Sequence, residues 1–133
     1  MRIIIAGGRD FQDYELVKST FAKTIESISV CGLDSVTEFI RSVEIISGNA
    51  EGADELGERL AYSYGFKLKM FPARWDVHGN SAGHIRNEEM ALYAKTDRQK
   101  GVLIAFWDGK SSGTKNMIEN AKKHGLKTVI VNY

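Results

Sequence analysis

The sequence holds one cysteine and one proline in 133 residues. Cys31 alone cannot close an internal disulfide or supply the paired thiolates of a zinc site, and this points to a reducing compartment. No long hydrophobic run is present. The apolar stretch Ile3-Ile4-Ile5-Ala6 stops at Gly7, too short for the core of a signal peptide, and no later run is long enough to span a bilayer. Neither sign of charge dominates: 18 Lys and Arg stand against 17 Asp and Glu, a formal net charge of +1, with the signs interspersed. A nucleic-acid binder would show a basic stripe with interleaved aromatics, so the balance argues against a polyanionic partner. No linker, repeat or low-complexity stretch divides the chain. What is present suits a globular core, with 43% hydrophobic and 26% charged residues. The expectation is one cytoplasmic domain over residues 1–133, with no membrane segment.

Apolar runs alternate with helical patterns, the signature of βαβ units and a parallel sheet. The run Ile3-Ile4-Ile5-Ala6 reads as a buried strand. Tyr14, Val17, Phe21, Ile25 and Ile28 then recur at helical spacing, in a helix from about Asp13. Val36, Phe39 and Ile40 suggest a short amphipathic helix, separated from the first at Cys31-Gly32. Val43-Glu44-Ile45-Ile46 is the second strand, followed by a helix from near Gly52 with Ala53, Leu56, Leu60 and Tyr64 inward. Gly65 fits its stop. Phe66, Leu68 and Met70 alternate with Lys67 and Lys69, as in a half-exposed edge strand. Residues 71–80 read as a long loop, and a helix follows from about Ser81 to Lys95. The continuously apolar run from Val102 to Trp107 suits a central strand. Ile118 and Ala121 mark a helix ended by Gly125, and Thr128-Val129-Ile130-Val131 is the last strand. With right-handed crossovers these five strands form an α/β, Rossmann-like, doubly wound parallel sheet in the order 3-2-1-4-5. Ligands of such sheets sit beyond the carboxyl ends of the strands, where the winding reverses.

Three strand-to-helix turns converge there. In the first, Gly7 and Gly8 allow close approach to the backbone, and Arg9 is placed to contact a phosphate. A tight turn with a solvated arginine explains it equally well. The second, S-G-N-A-E-G-A-D, offers Ser47, Gly48 and Gly52 at a helix start, where exposed amides attract anions. Asp54 there holds a ribose hydroxyl or complements the helix dipole. The third, W-D-G-K-S-S-G-T, brings Asp108, Ser112, Gly113 and Thr114 to another helix start, a cradle for phosphate. Neither G-x-x-x-x-G-K-[ST] nor G-x-G-x-x-G nor G-x-S-x-G occurs. Beside them lie Trp75, Asp76, His78, Asn80, His84, Arg86, Asn87 and Met90. Trp75 stacks on a base or packs under the loop. No metal-binding signature joins the histidines and acids, and no metal or cofactor is expected.

These pieces together resemble the SLOG superfamily, and within it the YspA-like family. The residues that carry the resemblance are I-I-A-G-G-R-D-F, I-S-G-N-A-E-G-A-D, W-D-V-H-G-N-S-A-G-H-I-R-N-E-E-M and W-D-G-K-S-S-G-T-K-N-M-I. The second turn is similar to that of DprA-type DNA-processing proteins, which bind single-stranded DNA. R-N-E-E-M and S-G-T-K-N-M resemble the two motifs of LOG-type phosphoribohydrolases, which cleave the bond between base and ribose phosphate. Arg86 matches their catalytic Arg, and their catalytic Glu falls on Met117. The resemblance implies binding of a nucleotide or a derivative such as an ADP-ribose-like molecule, sensed or sequestered, in a homodimer or larger assembly. The long helix carrying Met90, Leu92 and Tyr93 is its expected contact. The alternatives are an N-glycosidic hydrolase, with Arg86 and Asp108 as catalytic candidates, a single-stranded DNA binder, and a structural module whose pocket is vestigial.

Overall fold

A computed structural model describes residues 1–28, 35–96 and 101–133. The chain runs β1 (Arg2–Gly7), α1 (Tyr14–Ser27), α2 (Val36–Ser42), β2 (Glu44–Ser47), α3 (Ala53–Tyr64), β3 (Lys67–Met70), α4 (Trp75–His78), α5 (Ala82–Lys95), β4 (Val102–Trp107), α6 (Ser112–Lys123) and β5 (Lys127–Asn132). The five strands form one sheet in the order β3-β2-β1-β4-β5, every pair parallel. This is the α/β doubly wound arrangement expected from the apolar runs.

The three consecutive isoleucines of β1 explain why it sits at the centre. Side chains alternate across a strand, so Ile3 and Ile5 enter one core and Ile4 the other. All three are fully buried, and burying each stabilises by roughly 1.5–3 kcal/mol. On the Ile3 and Ile5 side, Val17 and Phe21 of α1 pack with Leu60 of α3. On the Ile4 side, Met90, Ala91 and Ala94 of α5 pack with Met117, Ile118 and Ala121 of α6. Short side chains on α5 let it lie close to the sheet.

Side-chain caps fix three helix starts. The Asp13 carboxylate accepts from the Leu16 amide (3.0 Å), Ser35 Oγ from the Glu38 amide (3.1 Å) and Ser111 Oγ from the Thr114 amide (3.5 Å). Gly65 ends α3 in the left-handed conformation (φ 75°). The register sets Gly7 opposite Phe106 and Ser47 opposite Met70, which brings the turns after β1, β2 and β4 to one edge of the sheet.

Four sequence expectations change. Residues 71–80 are not all loop: Trp75–His78 form one helical turn and Gly79–Ser81 a 3₁₀ turn. Four residues are too few to show a period, and none is buried, so hydrophobicity gives no sign of them. Tyr64, on the last turn of α3, is exposed, with its ring stacked 5.8 Å from that of Phe66. Met70 is exposed too; the apolar alternation of edge strand β3 fades from buried Phe66 through half-buried Leu68. Val36 faces solvent at the first turn of α2, while Phe39 and Ile40 pack on the core. The break expected at Cys31-Gly32 lies outside the described residues.

Candidate functional site

A cleft of about 570 Å³ opens at the carboxyl edge of the sheet. Its floor is Ala6, Gly7 and Gly8 at the end of β1, its walls the starts of α5 and α6. Of the thirteen residues singled out in the sequence, ten line it. Gly7, Gly8 and Arg9 come from the first turn and Asp54 from α3. Arg86 and Asn87 come from α5, and Asp108, Ser112, Gly113 and Thr114 from the turn into α6. Ser47, Gly48 and Gly52 do not line it.

The reason lies in how the second turn closes on itself. Ser47 is fully buried; its hydroxyl donates to Glu58 Oε2 (2.6 Å) and accepts from the Asn49 amide (3.0 Å). Asn49 takes the left-handed conformation (φ 58°), which short polar side chains tolerate. The Gly48 carbonyl accepts from Arg86 Nη1 (2.5 Å). Gly52 also has positive φ (78°), and a Cβ there would run into the Gly8 carbonyl and the Arg9 backbone. Its glycine is required by the packing of one turn on another rather than by a ligand. At Gly8 a Cβ would meet only side-chain ends, the Tyr133 hydroxyl and Asp10 Oδ1. That hydroxyl donates to Asp10 Oδ1 (2.7 Å), and the Tyr133 ring stands 4.8 Å from that of Phe11.

Arg86 is held from two sides. Besides the Gly48 carbonyl, its Nε donates to Asn87 Oδ1 (3.0 Å). Buried Asn87 in turn donates from Nδ2 to the Gly113 carbonyl (3.2 Å) and to Asn116 Oδ1 (3.0 Å). Asn87 is therefore a bracket that ties Arg86 to the first turns of α6. Burial lowers the pKa of Arg86, opposed by the nearby Asp54 carboxylate. Asp54 is itself buried, and desolvation pushes its pKa up from 3.8 to about 6, against the Ala50 amide and Arg86, which favour the charged form. Its carboxylate accepts from that amide at 3.2 Å.

The third turn has the opposite character. Asp108 Oδ1 accepts from the amides of Lys110 and Ser111 (both 2.8 Å), which hold its carboxyl below the ordinary carboxylate range. Trp107 Nε1 donates to the Ser111 carbonyl (3.0 Å). With this turn fixed, the start of α6 points into the cleft. The first amides of a helix have no partner within it, and the macrodipole adds partial positive charge there. The first turn of α6 has no acidic residue, whereas that of α3 carries Asp54 and Glu55. Ser112 and Gly113 are exposed, and a Cβ on Gly113 would meet nothing within 4 Å. Thr114 is buried, its Oγ1 3.4 Å from Ser111 Oγ.

Sequence reading left Ala6, Asp10, Ala50 and Gly83 out of the lining and had Ser111 only as the start of the turn that should hold the phosphate. Only Ser111 carried a signal: a serine three residues before Thr114, ahead of an apolar helix face, is a capping pattern. Among the described residues no group of three or more His, Cys, Asp or Glu could hold a metal ion. No helix among them is long and apolar enough to cross a membrane.

The fold and the placement of this cleft define a Rossmann-like doubly wound domain with its crevice at the point where the winding reverses. The chain belongs to the YspA, cpYpsA-related SLOG family, whose profile matches residues 1–78. It is also similar to the Gene 61 protein of Mycobacterium phage D29, at 29% identity over 133 residues, covering 96% of this chain and 94% of that protein. No solved structure matches it.

Proposed function

We propose that this protein binds a nucleotide or nucleotide-derived ligand in the cleft, with a phosphate at the start of α6, and leaves the N-glycosidic bond intact. The observation that carries the reading is the α6 N-terminus, open to the cleft over Gly113 and unopposed by any acid in its first turn, with Arg86 and Arg9 in the same lining. Amides of Ser112 and Gly113 meet the phosphate oxygens, the Thr114 amide being taken by the Ser111 cap, and Arg86 meets the same phosphate or the adjoining ribose. Membership of a SLOG family supports a nucleotide-related role.

Binding without cleavage follows from Met117. It lines the cleft at the position where the LOG-type motif carries Glu. Breaking an N-glycosidic bond builds positive charge on the ribose, and a carboxylate beside it stabilises that charge. A thioether supplies no such charge. Removing a preorganised charge from a transition state costs about two to three powers of ten in rate. Asp108 stays ionised at the rim, but one of its oxygens is committed to two amides of its own turn.

The protein assembles as a homodimer or larger in this reading. Of the three apolar side chains on α5 that suggested a contact, Met90 is buried in the core and Tyr93 lies half-buried beneath Arg2. Leu92 alone of the three remains exposed for such a contact.

The test is a thermal-shift screen of nucleotides followed by chromatography of whatever binds. A ligand at one hundred times its Kd stabilises by about 2.7 kcal/mol, a visible rise in Tm. A bound nucleotide should survive long incubation. Rapid release of free base, abolished by Arg86→Ala, would replace the binding reading with an enzyme. No shift with any nucleotide would remove the phosphate assignment.

A further inference from the structure

We infer that the outer end of the cleft is a stacking subsite for the ligand's base, with Trp75 as the platform and the only large aromatic ring in the cleft lining among the described residues. This deepens the nucleotide reading above and rests on it. The phosphate bracket alone accepts any phosphomonoester. Trp75 would make the protein select those that carry an aromatic ring.

Three observations place the subsite. Trp75 is 54% exposed, although tryptophan is among the side chains most rewarded by burial. It sits on α4, and it lines the cleft together with Asn80, Gly83 and His84. An indole that merely supported the 71–80 segment would be covered by it; this one is left open beside the cavity. Second, Gly83 carries no side chain where α5 faces that indole: a Cβ there would come within 3.7 Å of Trp75 Cη2. A Cβ alone would rest there in ordinary contact, and a longer side chain would cover the ring. Third, the spacing suits one ribose. Gly83 lies four residues before Asn87 on α5, about 6 Å along the helix. Asn87 is the residue bonded to the Gly113 carbonyl, so the aromatic wall begins one helical turn outward from the phosphate end. Asn80 and His84, in the same lining, add donors and acceptors for the polar atoms that a base carries.

Stacking on an aromatic side chain is sequence-tolerant, because every base has a π face. The inferred preference is therefore for an aromatic base as such, ranked among bases by the polar groups of Asn80 and His84. The second tryptophan, Trp107, is held by its bond to the Ser111 carbonyl and serves the phosphate end instead.

The experiment compares ribose 5-phosphate, which has the phosphate and no base, with the four 5′-monophosphates AMP, GMP, CMP and UMP. Calorimetry is run on the wild type, on Trp75→Ala and on Gly83→Leu. At least one nucleotide should bind the wild type tenfold or more tighter than ribose 5-phosphate. That preference should collapse to within about twofold in Trp75→Ala, with the affinity for ribose 5-phosphate unchanged. Gly83→Leu, a good helix former placed over the indole, should produce the same loss without removing the ring. In the wild type the nucleotide should quench a fraction of the tryptophan emission that ribose 5-phosphate leaves untouched and that Trp75→Phe reduces. A preference that survives both variants overturns the subsite, as does a wild type that binds ribose 5-phosphate as tightly as every nucleotide. Failure of all five compounds to bind the wild type is different: it overturns the phosphate reading, and the subsite falls with it.

Discussion

The turns after β2 and β4 have nearly the same vocabulary, and the fold uses them in opposite ways. Each follows a buried strand, holds glycines and serine, and opens a helix of twelve residues. The turn after β2 is closed. Its serine hydroxyl is committed to Glu58, its Gly48 carbonyl to Arg86, and its Gly52 lies under the backbone of Gly8 and Arg9. Two acids in the first turn of α3 offset the dipole that would draw an anion. The turn after β4 is open. Its carboxylate faces back onto its own amides, and the start of α6 carries no acid and has free space at Gly113. An anion cradle is thus defined by which donors remain unengaged after folding, and composition alone does not reveal that.

The contrast breaks most sharply if glycine substitutions at the two turns have the same effect. Gly113→Asp places a negative charge where the anion should sit. It should weaken binding of ribose 5-phosphate or a nucleotide at least hundredfold, about 3 kcal/mol. Folding should be untouched, because the position is open and an acid suits a helix start. Gly52→Ala should do the reverse. Its Cβ meets backbone at positive φ, and the cost should be about 2–4 kcal/mol in a denaturant titration. If Gly113→Asp binds normally, the open turn is not a phosphate site. If Gly52→Ala is as stable as the wild type, the closed turn is not closed.

How far the sequence carries the argument differs between fold and site. The strand order follows from apolar runs bounded by turns, because the burial of Ile3, Ile4 and Ile5 is written in their uninterrupted hydrophobicity. The convergence of three turns follows from the topology. What does not follow is the partner of each polar atom. Ser47 and Ser112 look alike in sequence, yet Glu58 of α3 accepts from the one and, among the described residues, nothing comparable engages the other. Asn87, singled out as a ligand contact, acts as a bracket for Arg86 because Asn116 and the Gly113 carbonyl come to it from α6, across 29 and 26 residues. The helical turn at Trp75–His78 is too short to leave a period. Such long-range pairings have no local signal.

The acids sharpen the comparison through pH. For Asp54 the folded state holds the proton more tightly than the unfolded chain, with a pKa of about 6 against 3.8. Stability from this group is therefore greatest below about pH 4 and is lost as pH rises through 6, about 3 kcal/mol over the whole titration. Asp54→Asn keeps an acceptor for the Ala50 amide and lacks that slope. The difference between wild-type and variant unfolding free energies should move by about 2 kcal/mol between pH 4 and pH 7. Asp108 should show the opposite sign. Its folded pKa is depressed, so its contribution is present above the ordinary carboxylate range and fades as pH falls through the folded value. Parallel profiles for Asp54→Asn and wild type would mean that the carboxylate at the closed turn is hydrated after all.

The smallest expected effects belong to the two serine hydroxyls, and they separate the turns most cleanly because each change deletes one atom. Ser47→Ala removes the buried hydroxyl that half-buried Glu58 Oε2 and the Asn49 amide share. Each hydrogen bond lost costs about 1 kcal/mol, so the loss should appear as a lower denaturation midpoint. Affinity for ribose 5-phosphate should stay within twofold, since the hydroxyl is fully buried and outside the cleft lining. Ser112→Ala should leave the midpoint alone, its side chain being exposed at the start of α6. It should weaken the phosphate about fivefold, the worth of one hydrogen bond of about 1 kcal/mol. The backbone amides of Ser112 and Gly113 persist in the variant, which is why the loss is a few-fold and not the hundredfold of Gly113→Asp. Either crossing of these outcomes removes the distinction. Weaker binding in Ser47→Ala at unchanged stability would show the closed turn opening to ligand. Normal binding in Ser112→Ala would leave the amides and Arg86 to hold the phosphate without that hydroxyl.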